Sequence, residues 1–186
     1  MKRAVLFFLL FCFAVGTAHA TTYYVTPEGS NSNDGLSWGA AWKTLTYAAT
    51  TAASGDTIYV GNGTYNAALG ETFPIQINGR YFIAQTTGLA TVDSGTAASD
   101  TINLGNNTTI EGLVVKNGNT SSYTAVNVAG SGAVVKSCEV VCTGSFVYGI
   151  YVRGANAKLL NNRITSSGFR TIFVSNIDGA HNVLIE

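Results

Sequence analysis

The side chains able to do chemistry are few, and they are scattered along the chain. Asp93, Asp100 and Asp178 sit at expected turns in different repeats, Glu111 and Lys136 fall on another strand, and His181 stands alone. Glycosidic hydrolysis needs two carboxyl groups about 5–9 Å apart. Calcium-assisted elimination needs grouped carboxylates and a basic residue near the acidic carbon. The sequence assembles neither, so no catalytic residue, metal ligand or cofactor-binding residue is assigned. One set of residues reads differently. Asn127, Tyr151 and Phe173 recur at spacings of 24 and 22, with Asn103 a further 24 residues earlier and Arg153 just past Tyr151. Flat rings, an amide and a guanidinium are the groups that hold a sugar, the cation pairing with a uronate. Asn127, Tyr151, Arg153 and Phe173 are therefore candidate glycan-binding residues. The same residue types are also ordinary strand formers on a solvated sheet.

Other motifs carry less. Cys138 and Cys142 are four residues apart, about 13 Å along an extended strand, whereas a disulfide needs Cα atoms within roughly 7 Å. They are expected to be unbridged core residues. The loop Asn31-Ser32-Asn33-Asp34-Gly35 offers one carboxylate, too few for calcium, and reads as a polar turn.

The elements that must position these residues follow from an internal repeat. One apolar column is Ile75, Ile102, Val126, Ile150 and Ile172, spaced 27, 24, 24 and 22. A companion column, two residues later, is Ile77, Leu104, Val128, Val152 and Val174. A third is Ile58, Ile83, Ile110, Val135, Leu159 and Val183, and a fourth is Val115, Val140 and Ile164. Within each repeat, stretches such as Ile150-Tyr151-Val152 alternate in, out, in, and Gly or Asn breaks them. Three short strands per repeat fit one coil of a parallel β-helix, in which each coil buries its face only against the next. The fold expected is all-β: a right-handed parallel β-helix, a single-stranded solenoid of about 24 residues per coil. A leucine-rich repeat lacks its leucine and asparagine skeleton here, and a sandwich would not hold fixed columns. In this register Asn103, Asn127, Tyr151 and Phe173 point outward from one sheet. Asn162 is expected in a turn, capping backbone groups.

Residues 1–20 read as a secretory signal peptide: Lys2-Arg3, an apolar run from Ala4 to Val15, and Ala18-His19-Ala20 as a cleavage site. Phe11 ahead of Cys12 argues against a lipoprotein signal. Residues 21–56 form an N-terminal strand–loop–helix cap. Its strand is Tyr23-Tyr24-Val25, and its helix carries Trp42, Leu45, Ala48, Ala49 and Ala52 before stopping at Gly55. Residues 57–186 are the coils, incomplete because the chain stops within one, as in a C-terminally truncated fragment. Without Lys2 and Arg3, eight basic residues face ten acidic ones. That balance excludes a nucleic-acid surface. No later apolar run is long enough for a membrane span, and oligomeric state is not legible.

The run Tyr23-Tyr24-Val25-Thr26-Pro27-Glu28-Gly29-Ser30, then Asn33-Asp34-Gly35, Trp42-Lys43-Thr44-Leu45, Gly55-Asp56-Thr57-Ile58-Tyr59-Val60, Gly63-Thr64-Tyr65 and Glu71-Thr72-Phe73-Pro74-Ile75 is specific. It resembles the N-terminal domain of unknown function on secreted bacterial and archaeal β-helix proteins of the pectin-lyase-like superfamily. The resemblance implies export to the extracellular space or cell surface and a link to polysaccharide, with substrate lying along the outer face of one sheet. It admits calcium as a cofactor. It implies no particular reaction. The expected function is a polysaccharide-binding or pectate-lyase-like polysaccharide-processing protein. If it is an enzyme, it is a polysaccharide lyase or glycoside hydrolase with its catalytic coil mostly outside this sequence. The alternatives are a noncatalytic cell-surface or adhesive β-helix rod and a protein-partner module.

Overall fold

The computed structural model describes residues 19–145, 147–167, 170–175 and 179–186. Most of the expected signal peptide, residues 1–18, and Asp178 lie outside the described residues. The chain winds as a right-handed parallel β-helix, each coil adding one strand to each of three sheets. The first sheet holds β1 (Thr22–Val25), β2 (Thr57–Val60), β5 (Tyr81–Ala84), β8 (Thr109–Glu111), β11 (Val134–Lys136), β14 (Lys158–Leu160) and β17 (Leu184–Ile185). The second holds β3 (Gly63–Asn66), β6 (Ala90–Asp93), β9 (Val114–Asn117), β12 (Glu139–Cys142) and β15 (Arg163–Ser166). The third holds β4 (Ile75–Ile77), β7 (Ile102–Leu104), β10 (Thr124–Val128), β13 (Tyr148–Val152) and β16 (Arg170–Val174).

Parallel register stacks like on like. Ile75, Ile102, Val126, Ile150 and Ile172 are successive partners, as are Ile77, Leu104, Val128, Val152 and Val174. Val115, Val140 and Ile164 align as expected, and Val92 and Tyr65 extend their column toward the N-terminus. The first-sheet column differs at two places. Phe82, not Ile83, pairs with Ile58 and Ile110, and Ile185, not Val183, pairs with Leu159. Both neighbours are apolar, so spacing alone could not choose; Phe82 is fully buried and Ile83 only partly.

Gly and Asn are abundant because the coil corners need left-handed backbone. Ahead of successive first-sheet strands, Gly55, Gly79, Asn107, Gly132, Asn156 and Asn182 all have positive φ. Only Gly, and among other residues mainly Asn, adopts this without large cost. Asn162 caps the preceding coil, its Oδ1 accepting from the Cys138 N–H (2.9 Å) and its Nδ2 donating to the Val135 carbonyl (2.8 Å).

The N-terminal segment closes the first coil. β1 pairs in register with β2, so the cap strand continues the first sheet. The helix α1 (Leu45–Thr51) is shorter than the expected apolar run: Trp42 lies before it, bridged to Val25, and Thr44 is its N-cap. Trp42 stacks on Tyr23 at 4.4 Å, and its indole N–H donates to the Asn33 carbonyl. Gly35, at φ +75°, lies so close that a Cβ would come within 2.5 Å of the indole. Tyr65, fully buried, donates its hydroxyl between the Val25 and Gly61 carbonyls, and burial holds that phenol protonated. Glu71 is the least obvious piece. Buried beneath the helix start, its carboxylate accepts from the Leu45 and Thr46 N–H groups (2.6 and 2.9 Å) and the Thr46 hydroxyl (2.6 Å).

Cys138 and Cys142 are both free and buried, and burial pushes their thiols up to about 12 and about 11. Among the described residues no helix is long and apolar enough to cross a membrane.

Four outcomes are expected from this core. Ile150→Ala should cost about 2–5 kcal/mol in urea unfolding, the range for an interior Ile truncation. Glu71→Gln should cost about 1–3 kcal/mol, since one amide oxygen cannot serve three donors. Burial raises the Glu71 carboxyl in the fold despite the opposing Thr46 and Leu45 hydrogen bonds. Its titration therefore contributes stability that is fully present below the ordinary carboxylate range and lost as pH rises through the raised folded value. A pH series of unfolding curves should show that component in the parent and not in the Gln variant. Cys138 and Cys142 should resist alkylation at pH 8 in the native protein and both react after unfolding; a mass two hydrogens short would show a bridge instead.

Candidate functional site

The outer face of the third sheet carries one row in strict register. Gln76, Asn103, Asn127, Tyr151 and Phe173 are consecutive partners from β4 to β16. Parallel strands step by about 4.8 Å, so the row is a continuous ribbon along the solenoid axis. All four candidate residues lie on it or beside it. Arg153, just after β13, folds back so that its guanidinium lies 5.4 Å from the Tyr151 ring centroid and its Nη2 donates to Asn127 Oδ1 at 3.2 Å. The expected cation thus sits over the expected ring.

The structure adds residues that the sequence reading placed elsewhere. Asp100, expected as an isolated turn residue, is part of the ribbon. Its Oδ2 accepts from Asn127 Nδ2 (3.0 Å), while Oδ1 accepts from the Thr124 N–H (2.8 Å). Asp100, Asn127 and Arg153 therefore form one chain of hydrogen bonds, in which Asp100 fixes the Asn127 amide orientation and Asn127 holds the guanidinium. Among the described residues neither Asp100 nor Arg153 has an ion-pair partner.

Tyr148 also joins the face. Alternation back from Ile150 points it inward, yet it stacks with Tyr151 at 5.7 Å and lies 5.8 Å from Phe173. The strand turns a corner there, and two consecutive residues face inward: Gly149 with Ile150, as Ala125 with Val126 one coil earlier. A Cβ on Gly149 would strike the Thr171 carbonyl at 2.3 Å, so only glycine fits that corner. Tyr151 and Phe173 are 5.2 Å apart, and Arg170 covers Phe173 at 4.6 Å. Phe173 is therefore half-buried by neighbours on its own face. A signal for these residues was present: Asp100, Thr124, Tyr148 and Arg170 each stand two positions ahead of Ile102, Val126, Ile150 and Ile172.

Together these side chains line an open groove of about 300 Å³, bordered by Asp100, Tyr123, Asn127, Tyr148, Tyr151 and Arg153. A hydrogen-bonded loop delivers Asp100 to it. Asn119 Nδ2 donates to the Thr96 and Ala97 carbonyls, and Asn117 Nδ2 to the Ser99 carbonyl. Glu111 and Lys136, expected on a different strand, pair at 2.8 Å on the first sheet.

Among the described residues no three His, Cys, Asp or Glu side chains converge. In the 31–35 loop the polar groups serve the cap: Asn31 Oδ1 accepts from the Lys43 and Thr44 N–H groups, and Asp34 accepts from Leu36. His181 lies away from the groove, its Nδ1 against the Gly179 carbonyl.

Comparison with solved structures shows the same fold. A pectate lyase, Pel9A, superimposes with a TM-score of 0.63 at 21% identity, over 81% of this chain and 42% of the lyase. A rhamnogalacturonan lyase gives 0.60 at 16% identity, over 88% of this chain and 44% of its own. A pectin methylesterase crystallised with a hexasaccharide gives 0.57 at 18%, covering 91% and 67%. The chain thus spans less than half the length of the two lyases. No curated protein sequence matches it. The family model that does match covers residues 27–185, nearly all of the coils and the cap, and the chain belongs to the family described as Protein of unknown function (DUF1565).

Proposed function

We propose that this chain is the glycan-binding portion of an exported, polysaccharide-processing β-helix protein, and that the ribbon on the third sheet holds an acidic polysaccharide. The observation that carries this is the meeting of three aromatic rings, Tyr148, Tyr151 and Phe173, with the Arg153 and Arg170 guanidiniums on one outer face. Rings present apolar faces to the C–H faces of sugars, and a guanidinium pairs with a uronate carboxylate through parallel N–H donors. The fold's occurrence in a pectate lyase, a rhamnogalacturonan lyase and a pectin methylesterase supports a polysaccharide partner.

Within these coils the reading is binding and not cleavage. The groove contains one carboxylate, Asp100, and both its oxygens already accept hydrogen bonds. A glycosidase needs a second carboxyl group across the bond. The same observation favours the noncatalytic surface rod as the second reading.

Isothermal calorimetry with oligosaccharides of galacturonate should show binding that falls about tenfold in Arg153→Ala and several-fold in Tyr151→Ala. Unfolding midpoints should move little, because both side chains lie outside the apolar core. Unchanged affinity in both variants, or no binding of any acidic glycan by the parent, would leave the rod reading standing alone.

A further inference from the structure

A second outer face carries aromatic rings that the third-sheet ribbon does not use. On the first sheet, the outward residues of the three strands nearest the cap are Thr22 and Tyr24 on β1, Thr57 and Tyr59 on β2, and Tyr81 and Ile83 on β5. Tyr24 and Tyr59 are register partners, and their rings stack at 5.9 Å. Trp38 joins them, packed edge-to-face on Tyr24 at 4.8 Å. Its place is fixed from both sides. Ser37 caps the short 3₁₀ turn Trp38–Ala40, its hydroxyl accepting from the Ala40 N–H at 3.2 Å, and the indole lies over Gly61, where a Cβ would come within 3.2 Å of it. Trp38, Tyr59 and Tyr81 nonetheless remain 38%, 36% and 40% exposed. Single exposed rings need no explanation, but rings grouped on one face mark a contact surface.

The chemistry of the face narrows its partner. None of its six outward strand residues is charged. The charges at its border are turned to backbone groups: Arg80 donates to the Ala52 and Asn78 carbonyls, and Asp56 accepts from the Thr21 and Ala53 N–H groups. Glu111 and Lys136, next along the Tyr59–Ile83 row, pair with each other at 2.8 Å. The face therefore asks for no charge on its ligand. Each of its rings ends in a polar atom, and threonines stand two residues before the tyrosines on β1 and β2. Ile83 alone of the six is aliphatic, and it is half-buried. Sugars present C–H faces and hydroxyls together, which polar-tipped rings among threonines match. Strands in register keep the face flat, with rows about 4.8 Å apart and outward residues about 7 Å apart along each strand. A flat face suits an extended polymer lying across several coils.

We propose that this face is a second glycan-binding surface, taking a neutral, extended polysaccharide across the three coils beside the cap. Trp38, Tyr59 and Tyr81 are the contact residues, and Tyr24 holds Trp38 and Tyr59 in place. The surface lies on a different sheet from the Arg153 ribbon and does not depend on it. The solenoid offers one sheet to an acidic polymer and another to a neutral one, and so links the two.

The test is depletion of the protein from solution by microcrystalline cellulose and by insoluble mannan, both free of carboxylates. At least one should retain the parent, and the Tyr59→Ala/Tyr81→Ala double variant should bind about tenfold more weakly, the scale of two lost ring contacts. Should that variant fold poorly, Tyr59→Val/Tyr81→Val replaces it, since valine keeps the strand preference and lacks the ring, and the same loss is expected. Saturating oligogalacturonate should not release the bound protein, because the ribbon is on the other sheet. Retention by neither polymer overturns the proposal, as does equal retention of the parent and a folded variant, or release by oligogalacturonate. A dimer of the parent in sedimentation velocity that the same substitutions dissolve also overturns it, and makes the face a contact between copies of this chain. Failure of both neutral polymers leaves the acidic-glycan reading of the third sheet untouched.

Discussion

The structure depends on one constraint: every coil must lie in register on the next. A single coil has three short strands whose backbone groups have no partners within the coil and whose apolar side chains cannot cover one another. Pairing to the neighbouring coil satisfies both needs at once, and only if equivalent residues coincide. Register therefore forces like to stack on like inside, where Ile102, Val126 and Ile150 form a continuous column. It also forces whatever lies outside into rows. Tyr151 and Phe173 meet not because they are near in sequence but because Ile150 and Ile172 do.

The same constraint explains the N-terminal motif. The first coil has no predecessor, so its edge and its open core need cover. β1 pairs with β2, and α1 lies across the opening with Leu45, Ala48 and Ala49 buried. The polar residues that make the motif recognisable are the fasteners: Asn31 to the backbone before α1, Tyr65 to the Val25 carbonyl, and Glu71 to the first N–H groups of the helix. A buried carboxylate in this place is a structural group. Its donors are backbone N–H and a neighbouring hydroxyl, and it faces the helix end, not a groove.

What was legible in the sequence was whatever register controls. The third-sheet columns and the outward positions of Asn127, Tyr151 and Phe173 follow from spacing alone, because a one-residue slip would turn every apolar side chain outward. What was not legible depends on contacts that spacing does not encode. Phe82 and Ile83 are both apolar, and it is Phe82 that pairs with the inward Ile58 and Ile110. Tyr148 breaks alternation because the strand bends at Gly149. Asp100 looked isolated because its partner, Asn127, is on the next coil and its loop is irregular. Glu71 stands in the sequence only as one residue of the N-terminal motif, yet it folds under a helix some 25 residues earlier in the chain.

The corners between strands are where such a solenoid acquires chemistry. The repeat from Ile75 to Ile102 is 27 residues, longer than the 24 that follow twice, and its excess lies in the turn between β5 and β6. The segment after β6 is of ordinary length, and Asn117 and Asn119 tie it down by hydrogen bonds to its carbonyls. Ser94 and Thr101 hydroxyls meet at its base, buried between the second and third sheets. β6 and β7 on either side of it remain in register with their partners. Its last residue is Asp100. An irregular loop of ordinary length thus carries a fixed carboxylate to the edge of a sheet whose other outward residues are amides, rings and guanidiniums. The register supplies a flat, repeating floor, and the loop breaks its uniformity at one coil. That single departure gives the ribbon two distinguishable ends, which identical repeats alone could not have done.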